Sequence, residues 1–70
     1  MKFTVKIREL ELGKRVDYYQ IEGNLFATAY KSGDGRMYFI FPNQVSQYEL
    51  LAFLADVNYR EVHKILGAEA

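Results

Sequence analysis

Few residues of this chain carry groups that could catalyse a reaction or bind a metal ion. His63 is the single histidine, and its polar neighbours favour a solvated surface position. Glu9 and Glu11 have the spacing of one strand face and could bind a cation, but Lys14 and Arg15 follow closely and favour an exposed charged edge. The chain contains no cysteine, which excludes thiolate chemistry and disulfides.

The two serines and the glycine cluster are typical of structural positions. Ser32 opens a turn segment, and Ser46 precedes a helical segment as its cap. The glycines of S-G-D-G-R do not connect a strand to a helix, so they indicate a hairpin and not a phosphate-binding loop. With no convergent polar groups, we expect a non-catalytic protein without a cofactor or a metal site.

Alternation of apolar and polar residues predicts β-strands in the first part of the chain. Residues 3–7 alternate with period two, as in a half-buried strand. A three-residue hairpin loop at Gly13–Arg15 would return the chain with Leu12 opposite Val16. Gly23-Asn24 is a second turn signal. These features predict a first β-hairpin.

A second hairpin follows directly. Leu25–Lys31 and Arg36–Phe41 are strand-like segments on either side of Asp34-Gly35, a strong two-residue turn signal. This turn would place Tyr30 opposite Phe39. Together the two hairpins predict an antiparallel sheet of three to four strands.

The last third of the chain predicts helices. Ser46–Glu49 is a capping box, and the same device recurs at Asn58–Glu61. The repetition predicts a tight turn at Asp56–Asn58 and a second helix that ends at Gly67. We therefore expect residues 1–70 to form a single small α+β domain, in which the sheet is followed by a C-terminal pair of short helices.

Composition narrows the class of protein. The chain has 70 residues, 50% of them hydrophobic, and a formal net charge of zero. A folded domain is expected, and no overall charge draws it to nucleic acid or anionic lipid. The longest apolar run, residues 50–55, is far shorter than a membrane span. These features predict a soluble, cytoplasmic protein with no membrane partner.

Residues 47–66, Q-Y-E-L-L-A-F-L-A-D-V-N-Y-R-E-V-H-K-I-L, resemble a helix-turn-helix motif. Ala52 stands where the family has a small residue at the helix crossing, and Val57 and Asn58 fit the turn. The resemblance implies a DNA-binding transcriptional regulator whose second helix enters the major groove. The residues that would face the groove are Tyr59, Arg60, His63 and Lys64.

The chain is more apolar than a two-layer domain requires. Met37–Phe41 is apolar on both strand faces, and residues 50–55 are apolar nearly all round the helix. Large exposed apolar patches mark interaction sites, so a second copy of the chain or another protein is expected to cover the remainder. The competing interpretation is that the core of the domain itself buries all of these apolar residues. The expected contact residues are strand aromatics with nearby cations: Tyr18, Tyr19, Tyr30, Lys31, Arg36, Tyr38 and Phe39.

The leading functional prediction is a small non-catalytic binding protein that acts by protein–protein contact. Its size and lack of chemistry are typical of regulators and inhibitors, including the counter-defence proteins of phages and mobile elements such as anti-CRISPR proteins. Two alternatives involve nucleic acid. One is the helix-turn-helix regulator, and the other is a single-strand binder whose strand aromatics stack on bases.

Overall fold

The computed structural model describes residues 1–64, in which an antiparallel sheet carries one helix on one face. The sheet has four strands in the order β1-β2-β3-β4, so β1 and β4 form its edges. The α+β prediction is confirmed. The elements are β1 (Thr4–Glu9), a 3-10 turn (Glu11–Gly13), β2 (Arg15–Ile21), β3 (Asn24–Lys31), β4 (Met37–Ile40) and α1 (Gln47–His63).

The predicted capping box begins α1. The Glu49 N–H donates to Ser46 Oγ (3.1 Å), and the Ser46 N–H donates to Glu49 Oε1 (2.7 Å). Two backbone donors of the first turn are thereby satisfied, which fixes the start of the helix at the residue that the sequence indicates.

The predicted pair of short helices is wrong, because α1 is one continuous helix of 17 residues that runs through Asp56–Asn58. Arg60 Nε donates to Asp56 Oδ2 (2.7 Å), an i,i+4 ion pair that spans the expected break. Val57, expected in the turn, is 6% exposed and packs against the sheet. The predicted helix end at Gly67 lies outside the described residues.

The first hairpin has a longer loop than predicted. Glu9 pairs with Arg15, so the loop spans residues 10–14 and contains the 3-10 turn. Leu12 is therefore not opposite Val16. It has a left-handed φ of 61° and is 83% exposed.

The central hairpin turns one residue before the predicted position. Glu22 and Gly23 occupy the turn, both with positive φ (50° and 83°), and β3 begins at Asn24. The pairing of β2 with β3 shifts between Tyr19 and Gln20. A shift of this kind lets two successive residues of one strand oppose one of its partner.

The second hairpin is also shifted by one residue from its prediction. Tyr30 pairs with Tyr38, and residues 32–36 connect the two strands, with a hydrogen bond from the Ser32 N–H to the Arg36 carbonyl (2.9 Å). Strand side chains alternate between faces, so a one-residue shift exchanges the faces of every β4 residue. Phe39 consequently lies on the helix side, and Tyr38 lies on the opposite side.

The core lies between α1 and one face of the sheet. Phe53 of the helix is fully buried, and Ala27 and Ala29 of β3 are too small to hold the helix away from the strands. The buried residues that form this cluster are Phe3, Val5, Tyr19, Ala27, Ala29, Phe53 and Val57.

Replacing Gly33 with alanine is expected to destabilise the domain by about 1–3 kcal/mol, the usual effect of overpacking. A Cβ at Gly33 would lie 2.6 Å from the Leu12 carbonyl oxygen, because the β3–β4 loop packs on the β1–β2 loop. Urea unfolding would measure the change in the free energy of unfolding. Glu11→Ala is the control, because Glu11 is exposed in the β1–β2 loop that Gly33 contacts. An equal loss in both variants would contradict the steric explanation.

Candidate protein-binding surfaces

The sheet face opposite α1 is not covered by any helix or strand of residues 1–64. We call it the tyrosine face and define it by the outward-pointing residues of two cross-strand rows. Each row begins with a cation on β1 and ends with an apolar side chain on β4. The first row is Lys6, Tyr18, Thr28 and Ile40, and the second row is Arg8, Val16, Tyr30 and Tyr38.

Large apolar side chains are exposed at the β4 end of the tyrosine face. Tyr38 is 54% exposed, Ile40 is 56% exposed, and Tyr30, paired with Tyr38, is 39% exposed. Tyr18 is half-buried, and Val16 beneath the tyrosines is 7% exposed. The tyrosine face therefore combines a buried residue, Val16, with exposed aromatic rings around it.

A shallow groove of about 200 Å³ runs along one end of the tyrosine face. Val16, Tyr30 and Tyr38 line it together with Leu10 from the β1–β2 loop. Lys14, Arg15, Lys31 and Ser32 complete the lining. Its exposed area is mainly apolar and suits an apolar side chain of a docking protein.

The structure brings three of the predicted contact residues together, namely Tyr18, Tyr30 and Tyr38. Two others are misplaced by the sequence analysis. Tyr19 is 1% exposed, with its ring centroid 4.9 Å from that of Phe53, and Phe39 packs 5.3 Å from the same ring. Both belong to the core, because the true register puts them on the helix side of the sheet.

The predicted cationic neighbours are not members of the two rows that define the tyrosine face. Lys31 points to the helix side, where its Nζ contacts Glu61 Oε1 at 3.2 Å. Arg36 is exposed in the β3–β4 loop and pairs with Asp34 at 3.4 Å. The cations of this face are instead Lys6 and Arg8, which sequence reasoning missed. The alternation of Lys6 and Arg8 with the apolar residues of β1 was visible in the sequence. The residues that they face on β2 follow only from the true strand register.

The residues expected to contact DNA do not form one basic surface. Arg60 is 4% exposed, and its Nη2 donates to the Phe3 carbonyl (3.1 Å) while its Nε binds Asp56. Arg60 therefore serves the packing of α1 on the sheet and is wrong as a groove contact. Tyr59 and His63 are exposed and pack on each other with ring centroids 4.3 Å apart. Lys64 is exposed at the end of α1, and the motif resemblance itself stays a prediction.

The outward side of α1 is a second exposed apolar surface. The sequence analysis expected the apolar run at residues 50–55 to add surface that a partner covers, but it named no protein-contact residue on the helix. Tyr48 is 70% exposed, Val62 65%, Leu51 59% and Tyr59 56%. The apolar run at residues 50–55 was a visible signal. Because two short helices were expected, the spacing along one long helix was not recognised.

A buried ionic network joins α1 to β2 at one end of the core. Arg15 donates to both carboxylate oxygens of Asp17, from Nε (2.8 Å) and Nη2 (2.9 Å). The same Nη2 binds Glu61 of the helix, which also accepts from Lys31. Arg15 is 8% exposed and Asp17 is 1% exposed, so this pair is nearly removed from water.

Burial raises the pKa of Asp17, although the hydrogen bonds from Arg15 act to lower it. Partial burial also acts to raise the pKa of Glu61. For Glu61 the hydrogen bonds from Arg15 and Lys31 outweigh burial and hold the pKa below its usual value. Each side chain of the network has its ionic partner within the network, so we interpret it as a device that fixes the helix on the sheet.

The described part of the chain contains neither a cluster of three metal ligands nor a membrane-spanning helix. No group of three or more His, Asp or Glu side chains within it could hold a metal ion. In residues 1–64, no helix has both the length and the apolar character needed to cross a membrane. No family model, curated protein or solved structure matches the chain, so functional conclusions rest on its own surfaces.

Proposed function

We propose that this chain is a small non-catalytic binding protein that regulates or blocks a protein partner by covering its surface with the tyrosine face. The observation that carries the proposal is the exposure of Tyr30, Tyr38 and Ile40 on a sheet face that no element of residues 1–64 covers. Exposed apolar patches of this kind mark interaction sites.

The chemistry of the tyrosine face indicates the kind of partner. Tyrosine buries a large area with little loss of side-chain entropy, and its hydroxyl can still find a hydrogen-bond partner. Lys6 and Arg8 stand at the β1 margin, where charges steer association more than they tighten it. A partner patch with an apolar centre and carboxylates on one side would complement this arrangement.

Tyr38→Ala is expected to weaken partner binding about 30-fold or more, the loss of ~2 kcal/mol typical of a central aromatic contact. The fold should persist, because Tyr38 lies on an edge strand and faces away from the core. The partner would first be captured from lysate with tagged wild-type protein. Calorimetric titration of the purified pair would then measure the affinity of each variant.

Tyr48→Ala is the matched control for this experiment, since Tyr48 is also an exposed tyrosine but lies on the outward side of α1. Equal affinities for wild type and Tyr38→Ala would sink the proposal, and so would unfolding of Tyr38→Ala seen by circular dichroism.

Nucleic acid is the competing class of partner, and salt dependence separates the two. Binding to phosphates weakens steeply as salt is added, whereas an apolar protein contact does not. Isotope-labelled protein would be titrated with random duplex and with single-stranded DNA at low salt. Salt-sensitive amide shifts on Tyr18 and Tyr38, or on residues 58–64, would contradict the proposed function.

A further inference from the structure

The outward side of α1 carries an uncharged stripe whose spacing is symmetric about its middle residue. Successive members are three, four, four and three residues apart, which places them on one side of an α-helix. The middle member, Ala55, is also the midpoint of α1. The helix stripe consists of Tyr48, Leu51, Ala55, Tyr59 and Val62.

This stripe lies opposite the side of α1 that packs on the sheet. Phe53 and Val57 face the core, at 0% and 6% exposure, whereas all five members of the helix stripe are exposed. A surface helix of a small domain ordinarily carries charged residues on its outward side. Here α1 is apolar on two opposite sides, and the sheet covers only one of them.

We propose that a second copy of the chain covers the helix stripe, with the two α1 helices antiparallel and a two-fold axis at Ala55. In this arrangement Leu51 faces Tyr59 of the second copy, and Tyr48 faces its Val62. The symmetric spacing matters because a two-fold interface uses the same patch on both copies and must therefore be self-complementary. Because the spacing is the same from either end, each member of the stripe faces a member of the stripe on the second copy.

The centre of the helix stripe suits close helix packing. Alanine at the axis lets the two backbones approach, and the larger side chains on either side can interdigitate. Antiparallel helices also set the positive end of one dipole beside the negative end of the other. With Leu54 at the margin, two copies would bury on the order of 1,000 Å² in total, the lower range of specific interfaces.

The inference does not rest on the proposed function, because the tyrosine face lies on the other side of the sheet from α1. Both tyrosine faces stay exposed in the dimer and point away from each other. A dimer built in this way would be bivalent toward the partner of the tyrosine face. Loss of partner binding in Tyr38→Ala and loss of the dimer in α1 variants are therefore separate results.

Sedimentation equilibrium over a concentration series tests the inference. The wild type is expected to reach the mass of two chains. Leu51→Lys and Tyr59→Glu should each give the mass of one chain, because each leaves two unpaired charges in the interface. The double variant should recover the dimer, since the introduced lysine of one copy then faces the introduced glutamate of the other. Within one chain these positions are about 12 Å apart and do not pair.

A cysteine experiment tests the position of the axis, and the chain has no other thiol. Ala55→Cys should form a disulfide-linked dimer on mild oxidation, because the two introduced thiols meet at the axis. Val62→Cys is the matched control, since its two thiols would lie about 21 Å apart along the antiparallel helices.

Ile40→Lys on the tyrosine face should leave the dimer mass unchanged. The inference is overturned if the wild type stays monomeric at every concentration. It is also overturned if Leu51→Lys remains dimeric, or if Val62→Cys cross-links as readily as Ala55→Cys.

Discussion

Replacing Phe53 with alanine is expected to leave most of the protein unfolded at room temperature. Phe53 is fully buried, and its ring centroid lies within 6 Å of five other aromatic ring centroids. Truncating a buried phenylalanine costs about 3–5 kcal/mol through lost transfer free energy and the cavity left behind. The neighbouring rings are Phe3, Tyr19, Phe26, Phe39 and Phe41.

This loss is large for a domain of 70 residues, whose total stability is on the order of 3–5 kcal/mol. Phe53 also joins α1 to strands β2, β3 and β4 and to Phe3, which directly precedes β1, so its truncation loosens the whole helix and not one contact. Far-UV circular dichroism during urea titration would show little or no cooperative transition in Phe53→Ala.

Two further variants make the Phe53 result interpretable. Phe53→Leu fills most of the volume and should lose about 1–2 kcal/mol, mainly through the aromatic contacts. Leu12→Ala removes a leucine that is 83% exposed and should change the free energy of unfolding by less than about 0.5 kcal/mol. A midpoint for Phe53→Ala close to that of Leu12→Ala would show that the core is not centred on this ring.

Local signals in the sequence predicted the strands and the start of the helix. Contacts between distant residues decided the strand register and the length of the helix. The capping box at Ser46 was predictable because all of its groups lie within four residues. The helix break at Asp56–Asn58 was not, since residues that can cap a helix can also lie within one. The packing of Val57 in the core and the hydrogen bond from Arg60 to the Phe3 carbonyl show why the helix continues.

The tyrosine face illustrates the same limit for the candidate site. Residue type alone singled out the tyrosines, and Tyr18, Tyr30 and Tyr38 do share a face. Phe39 was assigned to the wrong face of the sheet. The Asp34-Gly35 signal predicts a two-residue turn, whereas residues 32–36 connect the strands and the register is shifted by one residue. An analogous loop error at the first hairpin involves Leu12, whose positive φ is uncommon for a leucine and gives no sequence signal.

Replacing Arg15 with methionine is expected to destabilise the domain by about 3–5 kcal/mol at neutral pH, because it leaves a buried carboxylate without its partner. Methionine keeps the apolar stem of the side chain and removes only the guanidinium. Asp17, at 1% exposure, then has no bidentate donor, and Glu61 retains only Lys31. Urea unfolding at several pH values would measure the free energy of unfolding.

The pH dependence identifies the buried charge as the cause of this loss. Burial already raises the pKa of Asp17 in the wild type, and without Arg15 nothing in the pair opposes it. A carboxyl group with a raised pKa binds its proton more tightly in the folded state than in the unfolded state, so protonation stabilises the fold. The Arg15→Met variant should therefore recover stability as the pH falls from about 7 toward about 4.

In the wild type, Glu61 has the opposite effect, because it makes the fold less stable as the pH falls. Its lowered pKa contributes stability that is present above the usual range of a glutamate and is lost as the pH falls through the folded-state value. Removing Arg15 weakens this contribution, so acidification should reduce the difference between the two proteins. A difference that stays constant with pH would mean that Arg15 acts through packing alone.

The double variant Arg15→Met, Asp17→Val separates charge from packing in the same network. If the loss in Arg15→Met comes from an uncompensated buried carboxylate, removing that carboxylate should restore most of the stability, since apolar replacement of a buried ion pair is often neutral. Valine suits a strand position and contains no polar atom to leave unpaired. Recovery in the double variant, together with its loss of the acid-induced gain, would assign the network a structural role at the junction of α1 and β2. That result would leave the tyrosine face and the helix stripe as the surfaces available for function.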